Sequence, residues 1–236
     1  MINFKGQKLL VIAPHPDDEV IGCAGLIQKI KQAGGNVYVL FITVGDTKDF
    51  TINGISSLKE RKKEIEKVST FLKYDDYDIA FEGNDYHLKL DMLGQKKLMD
   101  VIERDSKVSL EKIRPSIVVF PSFFSYNQDH RVAAYAAFAS LRPSDKKLKH
   151  FVPNVLSYEE AADLWSLENK NIQNVFVSLS QKEIDRKLEA LELYSSQARP
   201  FPNLRSLQAL KTLAVLRGSQ TGSEHAEAYT VHRITV

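Results

Sequence analysis

Two clusters of chemically active side chains lie far apart in this sequence of 236 residues. Residues 15–19 read HPDDE, which places one imidazole and three carboxylates within five positions. Carboxylates this close together repel one another, so solvent or a cation must screen their charge. The second cluster is Asn127, Asp129 and His130, in the run NQDH. Histidine and aspartate bind divalent metal ions, and a spare carboxylate can accept a proton during hydrolysis.

The two clusters together could form a catalytic metal site. One His and one Asp from the first cluster, with a His from the second, make a three-ligand set for Zn²⁺ that leaves a position open for water. Such a site lowers the pKa of its water to roughly 7 and polarises a carbonyl group. Asp17 and Asp18 are adjacent, so one can bind the metal while the other accepts a proton. His130 lies at a predicted helix start, where the helix dipole keeps the imidazole neutral.

Both clusters also have a simpler explanation. Asp17 or Asp18 could be the N-cap of the helix that follows, with Glu19 in the first turn. Asp129 could likewise cap the helix of the second cluster and leave His130 in solvent. The chemical interpretation therefore depends on whether the fold brings the two clusters together.

Hydrophobic patterning predicts alternating strands and helices along the chain. The predicted strands are 9–14, 36–43, 77–81, 116–122, 152–158 and 175–179. The predicted helices are 20–32, 56–72, 91–113 with a break near 105–109, 130–141, 181–196 and 204–217. This alternation is typical of a doubly wound α/β fold, with a mostly parallel sheet and helices on both faces.

The expected strand order places the two clusters side by side. In a core of order 3-2-1-4-5, strands 1 and 4 are neighbours, and ligands bind at the carboxyl ends of such strands. The HPDDE cluster follows strand 1, and the NQDH cluster follows strand 4. Topology alone therefore predicts that the two clusters face each other across one crevice.

Composition limits the classes of protein to consider. Hydrophobic residues make up 43% and charged residues 26% of the chain, which fits one globular domain over residues 1–236. The net charge of +2 provides no field that would favour nucleic acid or an anionic membrane. The apolar run after the polar N-terminus is too short for a signal peptide or a membrane span, so we expect a cytoplasmic protein. Homo-oligomer formation is left open by the sequence.

The first cluster resembles a known family signature. APHPDDE at residues 13–19, followed by Gly22 and Gly25, is similar to the PHPDDE motif of the PIG-L/LmbE-like zinc-dependent N-deacetylases. Further similar positions are Thr43 to Asp46, Glu60, Arg61, Glu64, Asn127 to Arg131, Tyr194, Ser196, Gln197, Arg217, Gly218 and Ala226 to Tyr229. The resemblance thus extends along most of the chain. It implies a Rossmann-like fold and a hydrolase that removes acyl groups from N-acetylglucosamine-type sugars or glycoconjugates.

The resemblance also implies a role for each residue of the first motif. His15, Asp18 and His130 would hold Zn²⁺, although another divalent ion could occupy the same nitrogen and oxygen ligands. Asp17 would be the general base, and zinc-bound water would attack the amide carbonyl. A dinucleotide-binding enzyme is a weaker alternative, because no G-x-G-x-x-G follows strand 1.

The residues expected to contact the substrate match the family pattern less closely than the expected metal ligands do. Arg61 and Asp85 correspond to positions at which the family tends to have sugar-contacting polar groups. Arg61 could instead be a solvated residue on its helix, and Asp85 could be an ordinary turn residue. Asn127 stands where the family commonly has a histidine that stabilises the oxyanion, beside Asp129, which tunes it. Tyr126 could assist, since an asparagine amide donates a hydrogen bond but no proton. The alternative is that the chain is a catalytically weakened member of this family and acts as a carbohydrate-binding or regulatory protein. His87, in the loop after the third strand, could line the cleft, but a surface position is expected.

Overall fold

The computed structural model describes residues 4–48, 54–165 and 172–235 of the chain. Its strands are β1 Lys8–Ala13, β2 Asn36–Val44, β3 Thr47–Lys48, β4 Ile55–Ser56, β5 Asp76–Glu82, β6 Ile117–Pro121, β7 Asn154–Tyr158, β8 Val175–Leu179 and β9 His225–Ile234. Its helices are α1 Asp18–Gln32, α2 Leu58–Leu72, α3 Gln95–Asp100, α4 Leu110–Ile113, α5 Gln128–Ser140, α6 Gln181–Leu193 and α7 Leu207–Ser219.

The described strands of the main sheet follow the order β5-β2-β1-β6-β7-β9-β8. The first five are parallel, so the predicted 3-2-1-4-5 order of an α/β sheet is confirmed. β9 and β8 extend the sheet as antiparallel strands beyond β7. β9 was not predicted, because its buried glutamate, Glu227, interrupts the apolar pattern. β3 and β4 form a separate two-stranded ribbon beside the carboxyl edge of β2.

Alternate residues of β1 supply the two hydrophobic cores of the protein. Leu9 and Val11 point to the face covered by α1, α2 and α6, whereas Leu10 and Ile12 point to the face covered by α5. Side chains of successive strand residues lie on opposite faces, so a strand buried on both sides must be apolar throughout. β1 meets that requirement and therefore occupies the middle of the sheet, with its carboxyl end fixed between the two helical layers.

The segment predicted as a helix over 91–113 with a break near 105–109 is several shorter elements, and the break lies where it was predicted. α3 passes into a π-helical turn, Val101–Asp105, and α4 begins only at Leu110. Asp78 of β5 explains the break, because its Oδ2 accepts hydrogen bonds from Ser106 Oγ at 2.7 Å and Lys107 N at 2.9 Å. Within the described residues, no helix has the length and apolar character needed to cross a lipid bilayer.

Candidate active site

The end of β1 places Asp17 in an unusual backbone conformation. Asp17 occupies the N-cap position of α1 with φ of 106°, a left-handed value that non-glycine residues adopt at a cost of about 1–3 kcal/mol. Its side chain caps no backbone N–H in the described chain, and its buried Oδ2 has no hydrogen-bond partner there. The simple capping explanation therefore does not fit Asp17. Its carboxylate lines a cleft at the carboxyl edge of the sheet.

The second cluster also departs from the simple explanation. Asn127, not Asp129, is the N-cap of α5, because its Oδ1 accepts from Asp129 N at 3.0 Å. The Asp129 carboxylate is fully buried, with Oδ2 2.9 Å from His15 Nε2 and Oδ1 accepting from Leu90 N at 3.0 Å. The two clusters are thus in direct contact, as the strand order predicts.

Three side chains from the two clusters converge on one point. His15, Asp18 and His130 each offer an atom within 4.8 Å of the others, and all three are buried. Asp18 Oδ2 lies 3.4 Å from His15 Nδ1 and 3.3 Å from His130 Nε2. Two imidazoles and one carboxylate match the donor set of a catalytic Zn²⁺ site with an open position. The residues present therefore fit a divalent metal ion.

The second nitrogen of each histidine faces a carboxylate. His15 Nε2 contacts Asp129, which leaves Nδ1 for a metal. His130 Nδ1 lies 4.0 Å from Glu160 Oε1, and neither atom has a hydrogen-bond partner in the part of the chain that the structure describes. Carboxylates behind metal-binding histidines fix the ring tautomer and orientation. Glu160 was not predicted, although it follows β7 at the same edge of the sheet.

The charges of the site show an excess of buried carboxylate. Burial lowers the pKa of His15, but the hydrogen bonds to Asp129 and Asp18 outweigh it and raise the value to about 9. Burial raises the pKa of Asp17 to about 6, and the charge of Asp18 contributes further. Burial alone would raise the pKa of Asp18, yet its interactions with His130 and His15 lower it well below the usual range. A dication would supply the positive charge that this cluster requires.

The cleft above these residues has a volume of about 310 Å³. Arg61 lines it and donates from Nη1 to Thr47 Oγ1 at 2.9 Å and to His87 Nε2 at 3.0 Å. Its Nε is buried and finds no acceptor in the described ranges. His87 is only 4% exposed, so the expectation of a surface histidine is wrong. Burial and the charge of Arg61 lower the pKa of His87 to about 3, which keeps this ring neutral.

The remaining predicted substrate residues divide into two groups. Tyr126 and Asn127 line the cleft, and Tyr126 is 52% exposed. Asp85, predicted as a substrate contact, is exposed in the turn after β5 and is not among the described residues that line the cleft. The neighbouring Asn84 has a local role, since its Oδ1 accepts from Asp46 N at 2.7 Å.

Comparison with known proteins identifies the family. The family model described as "PIG-L: GlcNAc-PI de-N-acetylase" matches residues 10–141, more than half of the chain and including both clusters. This chain belongs to the PIG-L family. The resemblance carried by the HPDDE motif is thereby confirmed.

Relatives of this PIG-L chain match it over most of its length. Diacetylchitobiose deacetylase of Thermococcus kodakarensis is 28% identical over 239 residues, which cover 94% of this chain and 81% of the relative. A conserved protein from Thermus thermophilus has a TM-score of 0.72 and 23% identity, covering 98% of this chain and 96% of that one. GalB, a 4-carboxy-2-hydroxymuconate hydratase from Pseudomonas putida, has a TM-score of 0.72 and 18% identity, covering 98% of each chain. The two solved structures show that the fold is shared.

The C-terminal part of the PIG-L chain adds residues that sequence reasoning missed. Arg205 lines the cleft, with Nη1 3.6 Å from Asp17 Oδ2, and donates to Gln197 Oε1 at 3.1 Å. Nothing in the spacing of the sequence pointed to Arg205. Glu64, one turn after Arg61 on α2, accepts from Ser196 N at 2.7 Å and Ser196 Oγ at 2.6 Å. Arg61 and Glu64 of α2 therefore have different functions. Arg61 lines the cleft, and Glu64 fixes the segment that carries Gln197.

Proposed function

We propose that this PIG-L family member is a metal-dependent N-deacetylase, which removes an acyl group, in the first instance acetyl, from an N-acetylglucosamine-type sugar or glycoconjugate. The observation that carries the proposal is the convergence of His15, Asp18 and His130 beside the unbonded carboxylate oxygen of Asp17. Membership in a deacetylase family and the similarity to a diacetylchitobiose deacetylase support the reaction type and the sugar class. The partner is a small molecule or glycoconjugate that enters the cleft.

The metal would be held by His15 Nδ1, Asp18 and His130 Nε2. Zn²⁺ suits this donor set, and iron or another divalent ion can occupy similar nitrogen and oxygen sites. When bound, such an ion lowers the pKa of a water molecule and polarises a carbonyl oxygen. Asp129 orients His15, because its Oδ2 lies 2.9 Å from the ring nitrogen opposite the metal side.

Asp17 is the proposed general base. Its carboxylate is buried in the lining of the cleft next to the three converging side chains, and burial with the charge of Asp18 raises its pKa to about 6. It accepts a proton as water adds to the amide carbonyl carbon. When the carbon–nitrogen bond breaks, Asp17 returns the proton to the leaving amine. The products are the free acid and the amino sugar.

Asn127 and the cleft walls bind the substrate in this scheme. Asn127 Oδ1 accepts from Asp129 N, so the amide is oriented with Nδ2 as its remaining donor. A donor to the developing oxyanion is worth about 2.7–4 kcal/mol in a well-studied protease. Arg61 and Tyr126 also line the cleft, where the guanidinium of Arg61 can donate to sugar oxygens.

Acetate release tests the reaction. Zinc-loaded protein should release acetate from at least one member of a panel of N-acetylglucosamine conjugates, and Asp17→Asn should lower the rate by about 10²–10⁴-fold, because the general base is lost. Asp85→Asn is the matched control, since Asp85 is exposed and outside the lining of the cleft. If the zinc-loaded parent binds these conjugates but releases no acetate, the alternative of a carbohydrate-binding or regulatory protein replaces the hydrolase.

Elemental analysis tests the metal ligands. The parent should hold about one zinc ion per chain, and His130→Ala should lose it. His150→Ala is the control, because His150 Nε2 contacts the carbonyl of Pro115 at 2.7 Å, away from the cluster. Stoichiometric zinc in His130→Ala would show that the proposed ligand set is wrong.

A further inference from the structure

Two large aromatic side chains are exposed beside the cleft. Trp165, the only tryptophan of the sequence, is 76% exposed, and Tyr126 is 52% exposed. Their ring centroids lie 5.7 Å apart, with an angle of 53° between the planes. Tryptophan and tyrosine bury large areas in cores and interfaces, so a pair left in solvent marks a surface on which a ligand can bind.

The pair is continuous with the candidate active site. Tyr126 lines the cleft and directly precedes Asn127, the N-cap of α5. Trp165 follows the 3₁₀-helix Ala161–Leu164, of which Ala162 lines the cleft. The two rings therefore extend the wall of the cleft outward toward solvent.

The cleft is small, so only a substrate larger than one sugar unit would reach the aromatic pair. Its volume of about 310 Å³ lies at the lower end of the range of roughly 300–1,000 Å³ for ligand pockets. A cleft of this volume takes the sugar unit that carries the amide, and the group linked to that unit must leave through the mouth. Tyr126 lines the cleft and its ring contacts Trp165, and Asn203 and Arg205 also line the cleft.

We propose that Tyr126 and Trp165 form a stacking subsite for a second pyranose ring, the one linked to the sugar that is deacylated. The proposal rests on the proposed function and specifies its substrate as a disaccharide or longer glycoside. A pyranose has an apolar C–H face, which packs on an aromatic ring, and a polar edge of hydroxyl groups. The aromatic pair suits the face, while Asn203 and Arg205 provide hydrogen-bond donors for the edge.

Fluorescence of the single tryptophan gives a direct test. Zinc-loaded Asp17→Asn protein, which cannot turn over, is titrated with N-acetylglucosamine and with N,N′-diacetylchitobiose. The disaccharide should shift the emission of Trp165 and bind at least tenfold more tightly than the monosaccharide. Calorimetry on Trp165→Ala, in the same background, should show this advantage reduced to threefold or less, with monosaccharide affinity unchanged within twofold, and Tyr126→Ala should also weaken disaccharide binding. Tyr135→Ala, at an exposed aromatic on α5 away from the cleft lining, should retain the full advantage.

Four results would overturn the subsite. Equal affinity for the two sugars, or disaccharide binding without a change in Trp165 emission, would show that the rings do not contact the second sugar. A shift caused by an octyl glycoside but not by the disaccharide would assign the pair to an apolar aglycone instead. A shift that depends on protein concentration in the absence of sugar would assign it to contact between two copies of the chain.

Acetate release separates this inference from the function on which it rests. If the parent releases acetate from the disaccharide and Trp165→Ala has the same KM and kcat, the subsite is wrong and the deacetylase stands. If the disaccharide shifts Trp165 emission but the zinc-loaded parent releases no acetate, the subsite stands and the deacetylase is wrong.

Discussion

Replacing Lys187 with methionine should destabilise the fold by about 3–5 kcal/mol, the usual cost of removing one partner from a buried ion pair. The Lys187 and Glu227 side chains are 4% and 3% exposed, and Nζ lies 2.6 Å from Oε1. Lys187 Nζ also donates to Ile21 O at 2.7 Å. Methionine retains most of the side-chain volume, so the main loss is the charge that balances Glu227.

Glu227 cannot leave its position when the lysine is removed. Its carboxylate accepts from Gly25 N at 2.7 Å and Leu26 N at 2.8 Å in the middle of α1, and from Tyr229 OH at 2.6 Å. These bonds fix α1, the helix that begins with Asp18, against β9. Exposing Glu227 to water would therefore require separation of the helix from the sheet, so the uncompensated charge stays buried.

Urea denaturation followed by circular dichroism measures this effect. With an m-value of about 3 kcal/mol/M, the midpoint for Lys187→Met should fall by about 1–1.7 M relative to the parent. Lys182→Met changes an exposed lysine of the same helix and should alter stability by no more than about 0.5 kcal/mol. A Lys187→Met protein that loses less than about 1 kcal/mol would refute the view that a buried, unrelaxed ion pair connects these elements.

Three other predictions concern packing and the metal. Gly22→Ala should lower the free energy of unfolding by about 1–3 kcal/mol, because the new Cβ would lie 2.4 Å from Cδ2 of the buried Tyr158 ring. Gly94→Ala is the control and should be nearly neutral, since its Cβ meets no described atom within 4 Å. Equal urea midpoints for the two variants would contradict this prediction. Glu160→Gln should weaken Zn²⁺ affinity by about 10–100-fold in a chelator competition, because His130 Nδ1 would lose its carboxylate; unchanged affinity would remove Glu160 from the metal site. Free zinc at about 100 times its Kd should stabilise the parent by about 2.7 kcal/mol and leave His130→Ala unchanged, as measured by thermal unfolding with and without chelator; equal stabilisation of the two would contradict the ligand set.

The sequence predicted those parts of the fold that depend on local pattern. Apolar runs located the parallel strands, and the sheet order followed from rules that hold for alternating strands and helices. A buried polar side chain concealed one strand, because Glu227 interrupts the apolar pattern of β9. The break near 105–109 was predicted, but the hydrogen bonds of Asp78 to Ser106 and Lys107 that accompany it were not.

The meeting of the two clusters follows from the amino-acid sequence alone. His15, Asp18 and His130 converge because each cluster follows a parallel strand, β1 or β6, and neighbouring parallel strands end at one edge of the sheet. Periodicity and topology are enough for such a prediction.

The residues that surround this meeting point are set by the packing of the folded chain. Glu160 behind His130, Arg205 near Asp17, the buried His87 and the exclusion of Asp85 from the cleft lining depend on how loops from distant parts of the chain pack. Loop conformations are set by long-range contacts and side-chain hydrogen bonds, and these leave no period in the sequence.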